Sequence, residues 1–99
     1  MKIAVPRDRL AEFCRRNRIR RLAFFGSVLG DDFGPGSDVD VLVEFEPEAV
    51  VGLFGIHDME QELSALLGGR TAQISTPKWL SKYFREQVLA EAEVAYVQA

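Results

Sequence analysis

Two carboxylates separated by one residue, Asp38 and Asp40, are the side chains here with the clearest chemical potential. At positions i and i+2 of a strand they point to the same side, with Cβ atoms about 6–7 Å apart. Mg²⁺ takes hard oxygen ligands, commonly one or two carboxylates, with phosphate and water oxygens completing the shell. Two such ions about 3.5–4 Å apart can share a carboxylate and clamp both the attacking and the leaving oxygen of a displacement. Ten residues upstream lies Gly26-Ser27, directly after an apolar run. Glycine lets a phosphate approach the backbone closely, and exposed N–H groups with a serine hydroxyl can hold its oxygens. Metal ligands beside phosphate ligands are the two halves of a nucleoside triphosphate site. Each dipeptide alone is common in loops and half-exposed strands; the weight lies in their conjunction.

The elements that must position these groups can be read from periodicity. From Asp38 to Glu46, Val39, Val41, Val43 and Phe45 alternate with Asp38, Asp40, Leu42, Glu44 and Glu46. That pattern is a strand with one buried face and one polar face, ended by Pro47. Residues 20–25 (RRLAFF) read as an earlier strand that stops at Gly26-Ser27, and 30–37 (GDDFGPGS) as a loop. Pro6 can open a first helix over 6–17, with Leu10, Phe13 and Cys14 at helical spacing. A second helix is expected over 52–67, with Leu53, Ile56, Met59, Leu63, Leu66 and Leu67 as its apolar stripe and Gly68-Gly69 as its stop. A short strand follows at 70–75. Thr76-Pro77 reads as the cap and first turn of a last helix striped by Trp79, Leu80, Tyr83, Phe84 and Val88. Beyond Glu91 a short extended segment can be added. The expected class is α+β: a small mixed β-sheet with helices packed on one face, residues 1–99 forming a single domain.

Composition bounds the answer. Ninety-nine residues, 47% apolar and 27% charged, suit one core. No apolar run reaches the roughly 18–20 residues of a membrane span, and the N-terminus lacks a signal-peptide core. The lone Cys14 excludes an internal disulfide and suits a reducing compartment, so cytoplasmic location and no membrane partner are expected. Net charge is −3, which argues against general nucleic-acid binding. Its distribution is uneven: residues 1–21 carry +6, residues 22–69 carry −10 without a single Lys or Arg, and residues 70–99 carry +1. An acidic middle flanked by basic ends suits a cation site beside a phosphate-attracting surface, and suits solvated helix faces equally.

Other candidates carry less. GPGSDV lacks the third glycine of a dinucleotide loop and precedes a strand rather than a helix. The 31–46 region puts Gly34 and Gly36 where an EF-hand needs oxygen side chains. His57, the only histidine, has no Cys or His beside it and reads as solvated or capping. Cys14 reads as core, and Trp79 and Tyr83 as core or rim.

The run FGS…SDVDVLVEF resembles the signature of the minimal nucleotidyltransferases, small members of the DNA polymerase β-like superfamily, and GR…STP resembles the end of that domain. The resemblance spans about Leu10 to Tyr96. It implies the nucleotidyltransferase fold, Gly26 and Ser27 as nucleotide-binding residues, and Asp38 and Asp40 as metal-binding and catalytic residues. The implied cofactor is Mg²⁺ and the implied substrate ATP. The family's usual partner is a small helical HEPN protein, in toxin–antitoxin pairs where AMP passes from ATP to a partner hydroxyl. Two departures stand out. Gly30 and Asp31 occupy the places of a basic residue and a glycine, and Gln73 stands at the family's third-carboxylate position. A glutamine offers a neutral oxygen and cannot act as a base. Glu44 shares the face of Asp38 and Asp40 but lies about 13 Å from Asp40 along the strand. Asp31 and Asp32 remain as loop acids that could reach the site. Two functions are therefore expected: an adenylyltransferase-type antitoxin, or a nucleotide-binding subunit that neutralises its partner by occlusion.

Overall fold

The computed structural model describes residues 3–30, 33–34 and 36–99. Among these residues three α-helices and a four-stranded mixed sheet form an α+β architecture. Helix α1 spans Arg7–Arg16 and leads into β1, Ile19–Phe25. A 3-10 turn, Gly26–Leu29, follows; β2 is Val39–Phe45 and α2 is Leu53–Leu66. Then come β3 (Ala72–Ser75), α3 (Lys82–Glu91) and β4 (Glu93–Val97). The spatial order is β3-β2-β1-β4. β1 runs antiparallel to both neighbours and β3 parallel to β2.

The core explains this arrangement. Leu10, Phe13 and Cys14 of α1 and Ile56, Met59 and Leu63 of α2 pack on one sheet face, against Leu22, Phe24, Val39, Val41, Val43 and Ile74. Val39 and Val41 are fully buried. Each such side chain stabilises by about 1.5–3 kcal/mol relative to exposure, so β2 cannot turn over without losing several kcal/mol. That constraint sends Asp38 and Asp40 to the opposite face. An ion pair between Arg16 and Glu62 ties α1 to α2 at the surface.

Four expectations need correction. Leu42 shares the polar face of β2 yet is only 4% exposed, and Ala23, its partner in register, is also buried. Neither belongs to the main core cluster. The polar face is therefore covered over its middle, and the 3-10 turn Pro77–Trp79 packs against β2. Second, Thr76-Pro77 opens that three-residue turn and not α3. Leu80 returns to extended backbone, and Ser81 caps α3 by accepting from the Tyr83 N–H at 3.3 Å. Third, α3 has no buried residue, and Trp79, Tyr83 and Phe84 are exposed. Of the expected stripe, Trp79 and Leu80 precede the helix, Tyr83 and Phe84 face solvent and Val88 is half-buried; Arg85 secures the helix start by donating to the carbonyls of Pro77 and Leu80. Leu53, the first residue of α2, is likewise exposed.

Candidate functional site

Phe25 lies opposite Asp40 in the β1–β2 ladder, so the chain leaving β1 at Gly26 emerges beside that carboxylate. Gly26 adopts φ +78, a left-handed conformation that a side chain disfavours. A Cβ at this position would overlap Asp40 Oδ2 and lie 3.3 Å from its Cγ. Asp40 therefore rests on the glycine backbone. The turn then continues as a 3-10 segment through Ser27 and Val28, with the fully buried Val28 anchoring it to the core.

On the other side of β2, the Val39 N–H donates to the Thr71 carbonyl at 2.8 Å and fixes the parallel register. No local sequence signal marks Thr71 for that role. The register pairs Asp40 with Gln73, and Gln73 Nε2 donates to Asp38 Oδ2 at 2.7 Å. The structure thus gathers Gly26, Asp38, Asp40 and Gln73 across three adjacent strands. Ser27 follows Gly26 in the turn.

Burial, and secondly the charge of Asp38, push the Asp40 carboxyl above its ordinary value. Neither aspartate forms an ion pair with another described residue. A half-buried carboxylate beside a like charge, with no protein cation to relieve it, fits a divalent cation. Among the described residues no cluster of three His, Cys, Asp or Glu side chains could hold a metal. Two carboxylates leave the remaining coordination positions to phosphate and water oxygens, which is how Mg²⁺ is commonly held.

The other candidates sort cleanly. Glu44 turns to Arg20 and Arg21, at 3.5 and 3.6 Å, away from the two aspartates. Asp31 and Asp32 lie outside the described residues. Cys14 is buried, and burial pushes its thiol up to about 12. His57 is exposed and borders a cleft of about 370 Å³ with Glu60, Ser64 and Gln73. A second cleft, about 390 Å³ between Arg20, Pro47 and Lys78, lies away from the aspartates. Gly26 and Asp38 are exposed and Asp40 is half-buried, so a second molecule can approach from the Asp38 side. Among the described residues no helix is long and apolar enough to cross a membrane.

A sequence profile described as the nucleotidyltransferase domain matches residues 7–95. No curated protein matches the chain significantly. Among solved structures, a candidate minimal nucleotidyltransferase is 35% identical, with TM-score 0.70, covering 87% of this chain and 85% of its own. A toxin–antitoxin structure with AMP-PNP is 16% identical, with TM-score 0.73, covering 95% of this chain and 75% of its own. A complex of tri-AMPylated Shewanella oneidensis HEPN toxin with MNT antitoxin is 15% identical, with TM-score 0.65, covering 93% and 70%. The last two are similar in fold.

Proposed function

Because the chain belongs to the nucleotidyltransferase domain family, we propose that it binds ATP with Mg²⁺ at Gly26-Ser27 and Asp38/Asp40 and transfers AMP to a hydroxyl of a partner protein. The observation that carries this reading is the seating of the Asp40 carboxylate on the left-handed Gly26 backbone. The Gly26-Ser27 turn and the Asp40 carboxylate are in close approach, which supports reading them as the phosphate-holding and cation-holding halves of one site. The partner expected is a small helical HEPN-type protein, with this chain as the antitoxin; the likeness in fold to the MNT antitoxin complexed with the AMPylated HEPN toxin supports that assignment. Residues 1–99 act as one catalytic domain in the cytoplasm, consistent with the single buried Cys14.

The chemistry follows from the residues. Ser27 and the backbone N–H groups of its turn donate to triphosphate oxygens. Asp38 and Asp40 would hold Mg²⁺, which supplies charge neutralisation on the phosphates and orientation of the reacting oxygens. The acceptor hydroxyl oxygen attacks the α-phosphorus, the bond to the β-phosphate oxygen breaks, pyrophosphate leaves and the hydroxyl proton passes to water. The exposure of Gly26 and Asp38 leaves room for the acceptor to be presented by the partner.

One contact favours a second reading. The Gln73 amide donates to Asp38 where the resemblance calls for a third carboxylate. An amide takes no proton, and general-base assistance is worth about 10²–10⁴ in rate. On this reading the chain is a catalytically impaired nucleotide-binding subunit that neutralises its partner by binding. Purified chain, helical partner, labelled ATP and Mg²⁺ decide between them. Label on the partner with wild type supports transfer. Label only with Gln73→Asp, while both forms still inhibit the partner, supports the binding reading. No label with either form and no inhibition would refute both.

A further inference from the structure

Arg70 is the first Lys or Arg after Arg21, ending a stretch of 48 positions without one (residues 22–69). It lies between α2 and β3, the element that carries Gln73. Its guanidinium does not face solvent alone. Nη1 donates to the Gly34 carbonyl at 3.1 Å, and the guanidinium carbon stands 4.6 Å from the centroid of the Phe33 ring. Phe33 in turn is part-buried against the main core. The cation is therefore held on a ring that is itself anchored, and it grips Phe33 and Gly34.

The grip continues into the site. The Gly34 carbonyl also accepts from the Ser37 N–H at 3.0 Å, and the Gly34 N–H donates to Ser37 Oγ at 3.1 Å, closing a turn that ends one residue before Asp38. Thr71, next to Arg70, accepts from Val39 just after Asp38. The Arg70 carbonyl is itself fixed to α2 by Ser64 Oγ at 2.6 Å. Both flanks of Asp38 are thus tied to two consecutive residues, 70 and 71.

We propose that Arg70 is a positioning residue for the nucleotide site: through Phe33 and the Gly34–Ser37 turn it sets where Asp38 stands relative to Gly26-Ser27. This inference rests on the nucleotide-site reading above. It assigns Arg70 no contact with the nucleotide; the planar fork is what matters, since an ammonium can keep the charge and lose the paired geometry. An exposed cation–π contact is worth a few-fold in an equilibrium constant and a hydrogen bond from a charged donor about tenfold or more, of which only a part is transmitted to the nucleotide.

The test measures MgATP affinity and, without nucleotide, amide exchange at Ser37–Val39 in wild type, Arg70→Lys, Phe33→Leu and Phe33→Tyr. Arg70→Lys and Phe33→Leu are expected to weaken MgATP roughly three- to tenfold. Both should speed exchange at Ser37–Val39 while leaving the α1 amides protected. Phe33→Tyr keeps the ring face and should behave as wild type. Arg70→Lys binding as tightly as wild type would overturn the proposal, leaving only a role for charge. Weakened binding with unchanged exchange would overturn it too, since Arg70 would then act on the nucleotide directly. Wild type that takes up no MgATP would instead refute the site reading, separately from the Arg70 variants.

Discussion

Replacing Gly26 with alanine probes the closest approach in the site, and its cost can be worked from the geometry. The new Cβ would sit on a backbone at φ +78, which costs an L-residue about 1–2 kcal/mol. It would also overlap Asp40 Oδ2, and pushing that carboxylate off its rotamer adds about 0.5–1.5 kcal/mol. The total, about 1.5–3.5 kcal/mol, corresponds to a fall in Tm of roughly 6–28 °C for a chain of this size. Truncating Asp40 to alanine removes the overlapping oxygen and leaves its Cβ, 3.5 Å away, as the nearest of its atoms, an ordinary contact. In the Asp40→Ala background, Gly26→Ala should therefore cost only the backbone part. Urea denaturation of the four proteins of this double-mutant cycle should give a coupling of about 1 kcal/mol. Equal costs in both backgrounds would refute the contact, and no cost in either would refute the left-handed turn.

Three further outcomes are expected. The Asp40 carboxyl sits above its ordinary value because of burial and then Asp38; the fold keeps a proton that the unfolded chain gives up, so stability falls as pH rises through that raised value and stays lower above it. Asp40→Asn should then be no less stable than wild type at pH 7, with a flatter profile in melts from pH 3 to 8; a loss above about 2 kcal/mol would mark the carboxylate as structural. Glu60→Ala removes the acceptor of the Ile74 N–H, at 2.7 Å, on the outer strand β3, and should cost about 1 kcal/mol with faster exchange at that amide. Cys14, buried and with its thiol pushed up to about 12, should react with thiol reagents only as fast as the protein opens; rapid labelling of the native form would place it nearer the surface.

Much of the candidate site's geometry was legible because the valines of β2 recur with a period of two. Alternating valines fix which way Asp38 and Asp40 face, and the glycine before Ser27 fixes where β1 must stop. Gln73 stands out through the family resemblance alone; its pairing with Asp40 comes from the β2–β3 register, which the short strand's own sequence does not specify. Periodicity shows that an element has two faces, but not what lies on each. Leu42 therefore read as part of a polar face although it is covered, and Trp79, Tyr83 and Phe84 read as a packed stripe although they face solvent. Thr76-Pro77 carries a helix-start signal that the chain spends on a 3-10 turn, with Ser81 as the cap of α3. The grip of Arg70 on Phe33 and Gly34 joins positions 36 and 37 residues apart. No local pattern announces such a contact.

The central claim is that Gly26-Ser27 and Asp38/Asp40 form one Mg²⁺-dependent nucleotide site. Calorimetric titration of ATP into the protein, with Mg²⁺ and with the metal chelated, tests it most directly. The expected result is saturable binding to wild type that needs Mg²⁺ and disappears in Asp38→Ala/Asp40→Ala, with the variant's far-UV circular dichroism unchanged. Equal binding by wild type and the folded double variant, or binding indifferent to Mg²⁺, would contradict it.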